Sequence, residues 1–208
     1  SLNFNHRLLN SIIDIDTEFI LFLPDVDIIV NLNIDILKIY VEIMKDNNID
    51  RVNTAVFNGN NCFYKKEYGL CDLNYPLKEN SNHFTPIDCH PTIWKKNSWI
   101  EILQKFKNNN YNSSDLDPNY IDYCKKNIKC FGIQKTNNFK IKYNRGLTNS
   151  EYLDWLHITT KSKFLTPFSC YHDYEIELKK IINKYNLNIN KIGICKAHSA
   201  CMSFNKLK

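Results

Sequence analysis

Thr17-Glu18-Phe19-Ile20-Leu21-Phe22-Leu23-Pro24-Asp25-Val26-Asp27 is the stretch on which the fold turns. From Glu18 to Leu23 the run is apolar after its first residue, rich in Phe and Ile, and closed by Pro24. Such a run, bounded by turn signals, is expected of a strand covered on both faces. It delivers two carboxylates, one residue apart, at its carboxyl end. In open α/β sheets ligands gather at that edge. Hard oxygen donors placed there suit Mg²⁺ or Mn²⁺, and such an ion neutralises charge as a phosphate-linked group departs. A short D-x-D also reads as an ordinary turn or helix cap, so both readings stand at this point.

The flanks alternate between helix and strand. Phe4 to Ile13 carries Leu8, Leu9, Ile12 and Ile13 on one side of a helix. After the acidic pair, Asn33 is a good cap, and Leu37, Tyr40, Val41 and Met44 repeat at helical spacing until Asn47-Asn48. Arg51 to Phe57 reads as a strand, and Cys62–Tyr64 as a short one. Ser98 and Glu101 have capping-box spacing ahead of a stripe of Trp99, Ile102, Leu103 and Phe106. Asn108 to Ser114 is a polar loop, and Asp117-Pro118 opens a helix through Tyr123. Lys129–Gln134 and Phe139–Tyr143 are strand candidates. Thr148 and Glu151 predict a capped short helix to about Leu156, and Asp173 to Tyr185 a last helix. This alternation predicts a layered α/β domain over residues 1–168, followed by a helical tail over 169–208.

Composition narrows the class without naming it. The chain has 208 residues, long enough to bury a core without staples. Hydrophobic residues make up 43% and aromatics 13%, which excludes a disordered chain. The net charge of +5 (27 basic against 22 acidic residues) comes mostly from lysines scattered along the chain. A phosphate-binding face needs clustered Lys and Arg, so no nucleic-acid partner is expected. No apolar run approaches the roughly 20 residues of a membrane span. No secretory leader is visible, so a cytoplasmic location is expected. Ser1 in place of Met points to sequence removed upstream. Eight cysteines without a C-x-x-C pair suit reduced thiols in a chain this rich in core residues. Cys195-x-x-His198-x-x-Cys201, with Cys170 and His172 upstream, has non-standard spacing for a zinc site. No G-x-S-x-G, P-loop or G-x-G-x-x-G occurs, so hydrolase elbows and glycine-rich phosphate loops lack support.

The stretch from Thr17 to Asp27 resembles the central strand and DxD motif of GT-A glycosyltransferases, and Phe4 to Ile13 resembles the helix leading into that strand. His90-Pro91-Thr92-Ile93-Trp94-Lys95-Lys96, with the helix that follows, is similar to the acceptor-side segment of family-2-like members. An acidic loop ahead of another helix follows, here Ser113-Ser114-Asp115-Leu116-Asp117-Pro118. The resemblance extends over roughly residues 4 to 165. It implies a layered α/β/α domain with a mixed central sheet, truncated at its N-terminus. About 80 to 100 residues of β-α-β structure that cradle the nucleotide would precede residue 4. It also implies metal-dependent transfer from a nucleotide-diphosphate sugar to a glycan or protein hydroxyl, with Mn²⁺ or Mg²⁺. Asp25 and Asp27 would contact the metal and the donor, and His157 would add a late metal ligand. Asp117, or Asp115, would be the acid that deprotonates the acceptor. Trp94 and His90 would wall the acceptor site. Read as residues alone, Asp117 is equally a helix cap, His157 a hydrogen-bonded structural histidine beside Trp155 and Leu156, and Trp94 a core residue. The rival to an enzyme is a non-catalytic glycan- or protein-binding module of the same descent.

Overall fold

The computed structural model describes residues 4–23, 27–57, 69–73, 91–108, 118–134, 153–157, 159–160, 163–165, 175–188 and 194–195. The chain divides into two compact units: Ser1–Pro24 with Asn33–Phe139, and Asp25–Leu32 with Lys140–Lys208. The mixed α/β character expected from the alternation of elements is present.

In the first unit five strands form one mixed sheet. They are β1 (Phe19–Phe22), β3 (Arg51–Phe57), β4 (Leu70–Asp72), β5 (Thr92–Lys95) and β6 (Cys130–Gln134), in spatial order β1-β5-β3-β6-β4. β5 is antiparallel to β1 and β3, β6 is parallel to β3, and β4 is antiparallel to β6. Hence β1, β3 and β6 run the same way and share a carboxyl edge. The helices are α1 (Phe4–Ile12), α2 (Ile34–Asp46), α3 (Lys96–Lys105) and α4 (Pro118–Asn127).

One row of residues crosses the sheet through register partners: Ile20, Trp94, Arg51 and Cys130. This face carries the main core. Leu9 and Ile12 of α1, Trp99, Ile102 and Leu103 of α3, and Tyr120 and Cys124 of α4 close over Trp94, with Ile20 and Phe22 packed against them. Trp94 and Trp99 stack with ring centroids 5.4 Å apart, and Phe22 meets Trp99 edge-on at 5.0 Å. Phe19 and Leu21 belong to the other face, by the period of two. There Lys45, in the last turn of α2, sets its Nζ 5.7 Å from the Phe19 ring centroid and 3.5 Å from Glu18.

Two expectations are corrected here. The run Phe19–Phe22 was expected to be covered on both faces, as a central strand is. Instead β1 lies at one edge of the sheet among the described residues, with all four residues half-buried. The central strand is β3, whose Arg51, Asn53 and Thr54 are fully buried although polar. Arg51 donates from Nη1 to Cys130 Sγ at 3.3 Å and lies 5.2 Å over Trp94, while its buried Nε has no hydrogen-bond partner among the described residues, and Thr54 Oγ1 donates to Pro91 O at 2.6 Å. The second correction concerns the capping box at Ser98. α3 begins at Lys96, so Ser98 is inside it, and its hydroxyl bonds Asp50 Oδ1 at 2.5 Å. The other Asp50 oxygen accepts from Lys129 N at 2.9 Å, so one carboxylate ties α3 to the approach to β6. By contrast, Asn33 caps α2 as expected, accepting from Ile36 N at 3.3 Å.

Two groups in this unit titrate late. Burial pushes the Cys124 thiol from 9.0 up to about 12, opposed in part by the nearby Arg51 guanidinium. The hydrogen bond from Tyr123 to Glu101 pushes its phenol from 10.0 up to about 12, with burial and the Glu101 charge adding to it. Both folded values exceed the unfolded ones, so both groups stabilise fully at neutral pH. Their contributions are lost as pH rises, from about 9 for the thiol and about 10 for the phenol, up to about 12. Urea midpoints are therefore expected to fall across this window. Cys124→Ala should flatten the lower part of the fall and Tyr123→Phe the upper part. Variant profiles parallel to the parent's would contradict the assignment.

Candidate functional site

Two of the nominated residues, Asp27 and His157, belong to the second unit. From Asp27 the chain enters β2 (Asp27–Leu32), which pairs antiparallel with β7 (Leu153–His157). Residues 151–156 were expected to form a capped helix. The structure makes Leu153–His157 a strand instead, because β2 supplies a partner for its backbone groups. A separate three-stranded sheet joins β8 (Thr159–Thr160), β9 (Lys163–Leu165) and β10 (Ile194–Cys195), with β10 parallel to β9. The C-terminal region also carries helix α5 (Glu175–Lys184), inside the Asp173–Tyr185 segment expected to be helical.

The register of the β2–β7 ribbon is informative. Asp27 stands directly opposite His157, Ile28 opposite Leu156 and Ile29 opposite Trp155. The pairing then shifts, so that Asn31 faces Asp154 and Leu32 faces Leu153. Val30 is thus an extra residue, a β-bulge placed immediately beyond the Ile29–Trp155 pair. Following the period of two through the bulge, one side of the ribbon carries the pairs Asp27–His157, Ile29–Trp155 and Leu32–Leu153. The other side carries Ile28–Leu156 and Asn31–Asp154.

The remaining nominated residues fall as follows. Asp25, His90, Asp115 and Asp117 lie outside the described residues, as do Cys170, His172, His198 and Cys201. Pro118 begins α4, so the helix predicted after Asp117 is present. Trp94 is 2% exposed, stacked between Trp99 and the Arg51 guanidinium. Its place is in the core, out of reach of a ligand in this arrangement. Among the described residues no group of three or more His, Cys, Asp or Glu side chains is assembled to hold a metal ion. Asp27 and His157 are two of the three ligands expected from the sequence. A carboxylate with an imidazole suits Mn²⁺ better than Ca²⁺, which prefers an all-oxygen shell. Cys71, Cys124 and Cys130 are buried and form no disulfide, and Cys71, Leu73 and Cys130 pack together.

Sequence reading missed the pairing of β7 with β2, because the capping-box spacing of Thr148 and Glu151 favours a helix there. No helix among the described residues is long and apolar enough to cross a membrane. No protein-family model, curated protein or solved structure matches this chain.

Proposed function

We propose that this chain is a GT-A-type glycosyltransferase. It would move a sugar from a nucleotide-diphosphate donor to a hydroxyl of a glycan or protein. The observation that carries this reading is the pairing of Asp27 with His157. The resemblance implies both as metal ligands although they stand 130 positions apart (157 − 27), and the backbone makes them cross-strand neighbours. Directly opposed residues bring their Cβ atoms to about 4.5–5.5 Å, within reach of one ion.

In this reading Asp27 and His157, with Asp25, hold Mn²⁺ or Mg²⁺. The ion, when bound, supplies positive charge that stabilises the departing diphosphate. The acceptor oxygen attacks the anomeric carbon as its bond to the phosphate oxygen breaks. The family resemblance implies Asp117 or Asp115 as the base that would take the hydroxyl proton. A single displacement of this kind inverts the anomeric centre.

A thermal-shift measurement tests the proposal. Mn²⁺ together with UDP or GDP is expected to raise the melting temperature, and neither component alone should do so. Ligand at a hundred times its dissociation constant contributes about 2.7 kcal/mol. No shift with either nucleotide in the presence of Mn²⁺ would leave the non-catalytic binding module as the reading.

A further inference from the structure

We infer that the outer edge of β1 pairs with the same edge of a second copy of this chain, antiparallel and about a two-fold axis at Leu21. The inference is independent of the proposed activity. Lys96 N donates to Glu18 O at 2.8 Å, just beyond the Phe19–Lys95 end of the β1–β5 ladder. This bond fixes the alternation, so Glu18, Ile20 and Phe22 turn their backbone groups towards β5. The N–H and C=O groups of Phe19, Leu21 and Leu23 therefore point outwards, and no strand takes them among the described residues. Such an open row of donors and acceptors is completed by an extended strand. Protected edges are short, charged, or broken by proline or a bulge. β4, at the opposite edge of the sheet, is such a strand, three residues long and ending on Asp72. β1 has none of these guards: it reads Phe-Ile-Leu-Phe, regularly paired on its inner side and only half-buried. Leu23 beyond it is 36% exposed, as is Ile15 ahead of it, and Ile13 is 46% exposed.

The occupant follows from the register. Centred on Leu21, an antiparallel pair sets Leu21 against Leu21, Phe19 against Leu23 and Ile20 against Phe22 of the second copy. Every outward N–H and C=O then finds a partner, since the pairs at Leu21 and at Phe19–Leu23 are of the hydrogen-bonded kind. Every opposed side chain is apolar. Odd-numbered residues meet on one face of the joined sheet and even-numbered residues on the other. No charge faces another across residues 19–23. Such self-matching is what a two-fold interface requires, and it consumes the edge, so assembly through it closes at two copies.

Sedimentation of the intact chain across a concentration series provides the test. A strand pair this short is a small interface, so dissociation in the micromolar range is expected, with the dimer dominant at about 100 μM. Leu21→Lys sets like charges against each other across the axis and should raise the dissociation constant at least about tenfold, and Leu21→Glu likewise. An equimolar mixture of the two variants should form the dimer that neither forms alone, because opposite charges then meet. Leu23→Pro is the milder probe. It removes an outward N–H that no described contact uses, and extended backbone tolerates proline at a sheet edge. It should lose about tenfold in dimer affinity and keep the parent's far-ultraviolet circular dichroism. A monomer at every concentration up to about 100 μM overturns the inference and leaves the edge to an unlike strand. A dimer that survives both Leu21→Lys and Leu23→Pro is held elsewhere on the molecule and overturns it too. Folded Leu21→Lys and Leu21→Glu proteins that stay monomeric when mixed overturn the two-fold register.

Discussion

Asp27→Asn is expected to lower metal-dependent sugar transfer by at least about a hundredfold, the usual loss when one preorganised electrostatic contact to a departing charge is removed. The substitution is nearly isosteric and leaves the backbone pairing with His157 intact. What it removes is the negative charge that a divalent ion requires. Asp154→Asn is the matched control. Asp154 lies one register step beyond Trp155, opposite Asn31, on the other side of the ribbon. It should leave transfer within about twofold, as surface changes away from a site usually do. The two variants differ only in which side of one two-stranded ribbon loses a charge. Full transfer activity in Asp27→Asn would remove the central role assigned to that carboxylate. Equal losses in both variants would mean that net charge, not the paired site, is what matters.

The helices were the most legible part of the sequence. In α2 the repeat through Tyr40 and Met44 and the Asn33 cap are local signals, and no tertiary contact opposed them. The same holds for the Trp99, Ile102 and Leu103 stripe of α3. Strand position was not legible. Four apolar residues in β1 and the polar-studded β3 differ in burial opposite to their hydrophobicity. Arg51 is inside because Trp94 and Cys130 flank it in the register, and neither neighbour is close to it in sequence. Ser98 illustrates the same limit at a helix start. Capping-box spacing is a local fact, and the hydroxyl was instead claimed by Asp50 of a distant turn. The resemblance implied Asp27 and His157 as ligands, but only strand pairing across 130 positions could make them register partners.

Trp99→Ala should produce the largest stability loss in the first unit, about 3–5 kcal/mol for an aromatic removed from a packed core. Trp99 is 4% exposed and joins three elements: its own helix, Trp94 of β5 by stacking and Phe22 of β1 by an edge contact. The loss would not stop at the missing ring. Trp94 also carries the Arg51 guanidinium on its face, so a displaced Trp94 leaves a buried cation with fewer favourable contacts. α3 further seats α1 through Leu9 and Ile12, and the whole cluster shares one cavity if the indole goes. Domains of this kind are stable by only about 5–15 kcal/mol, so the change takes a large fraction of the total. The melting temperature should drop by about 10 °C or more. Trp155→Ala, in the other unit, provides the comparison, because the Trp94–Trp99 stack does not involve it. A Trp99→Ala protein melting within about 2 °C of the parent would show that α3 is not seated on β5 and β1 by this stack.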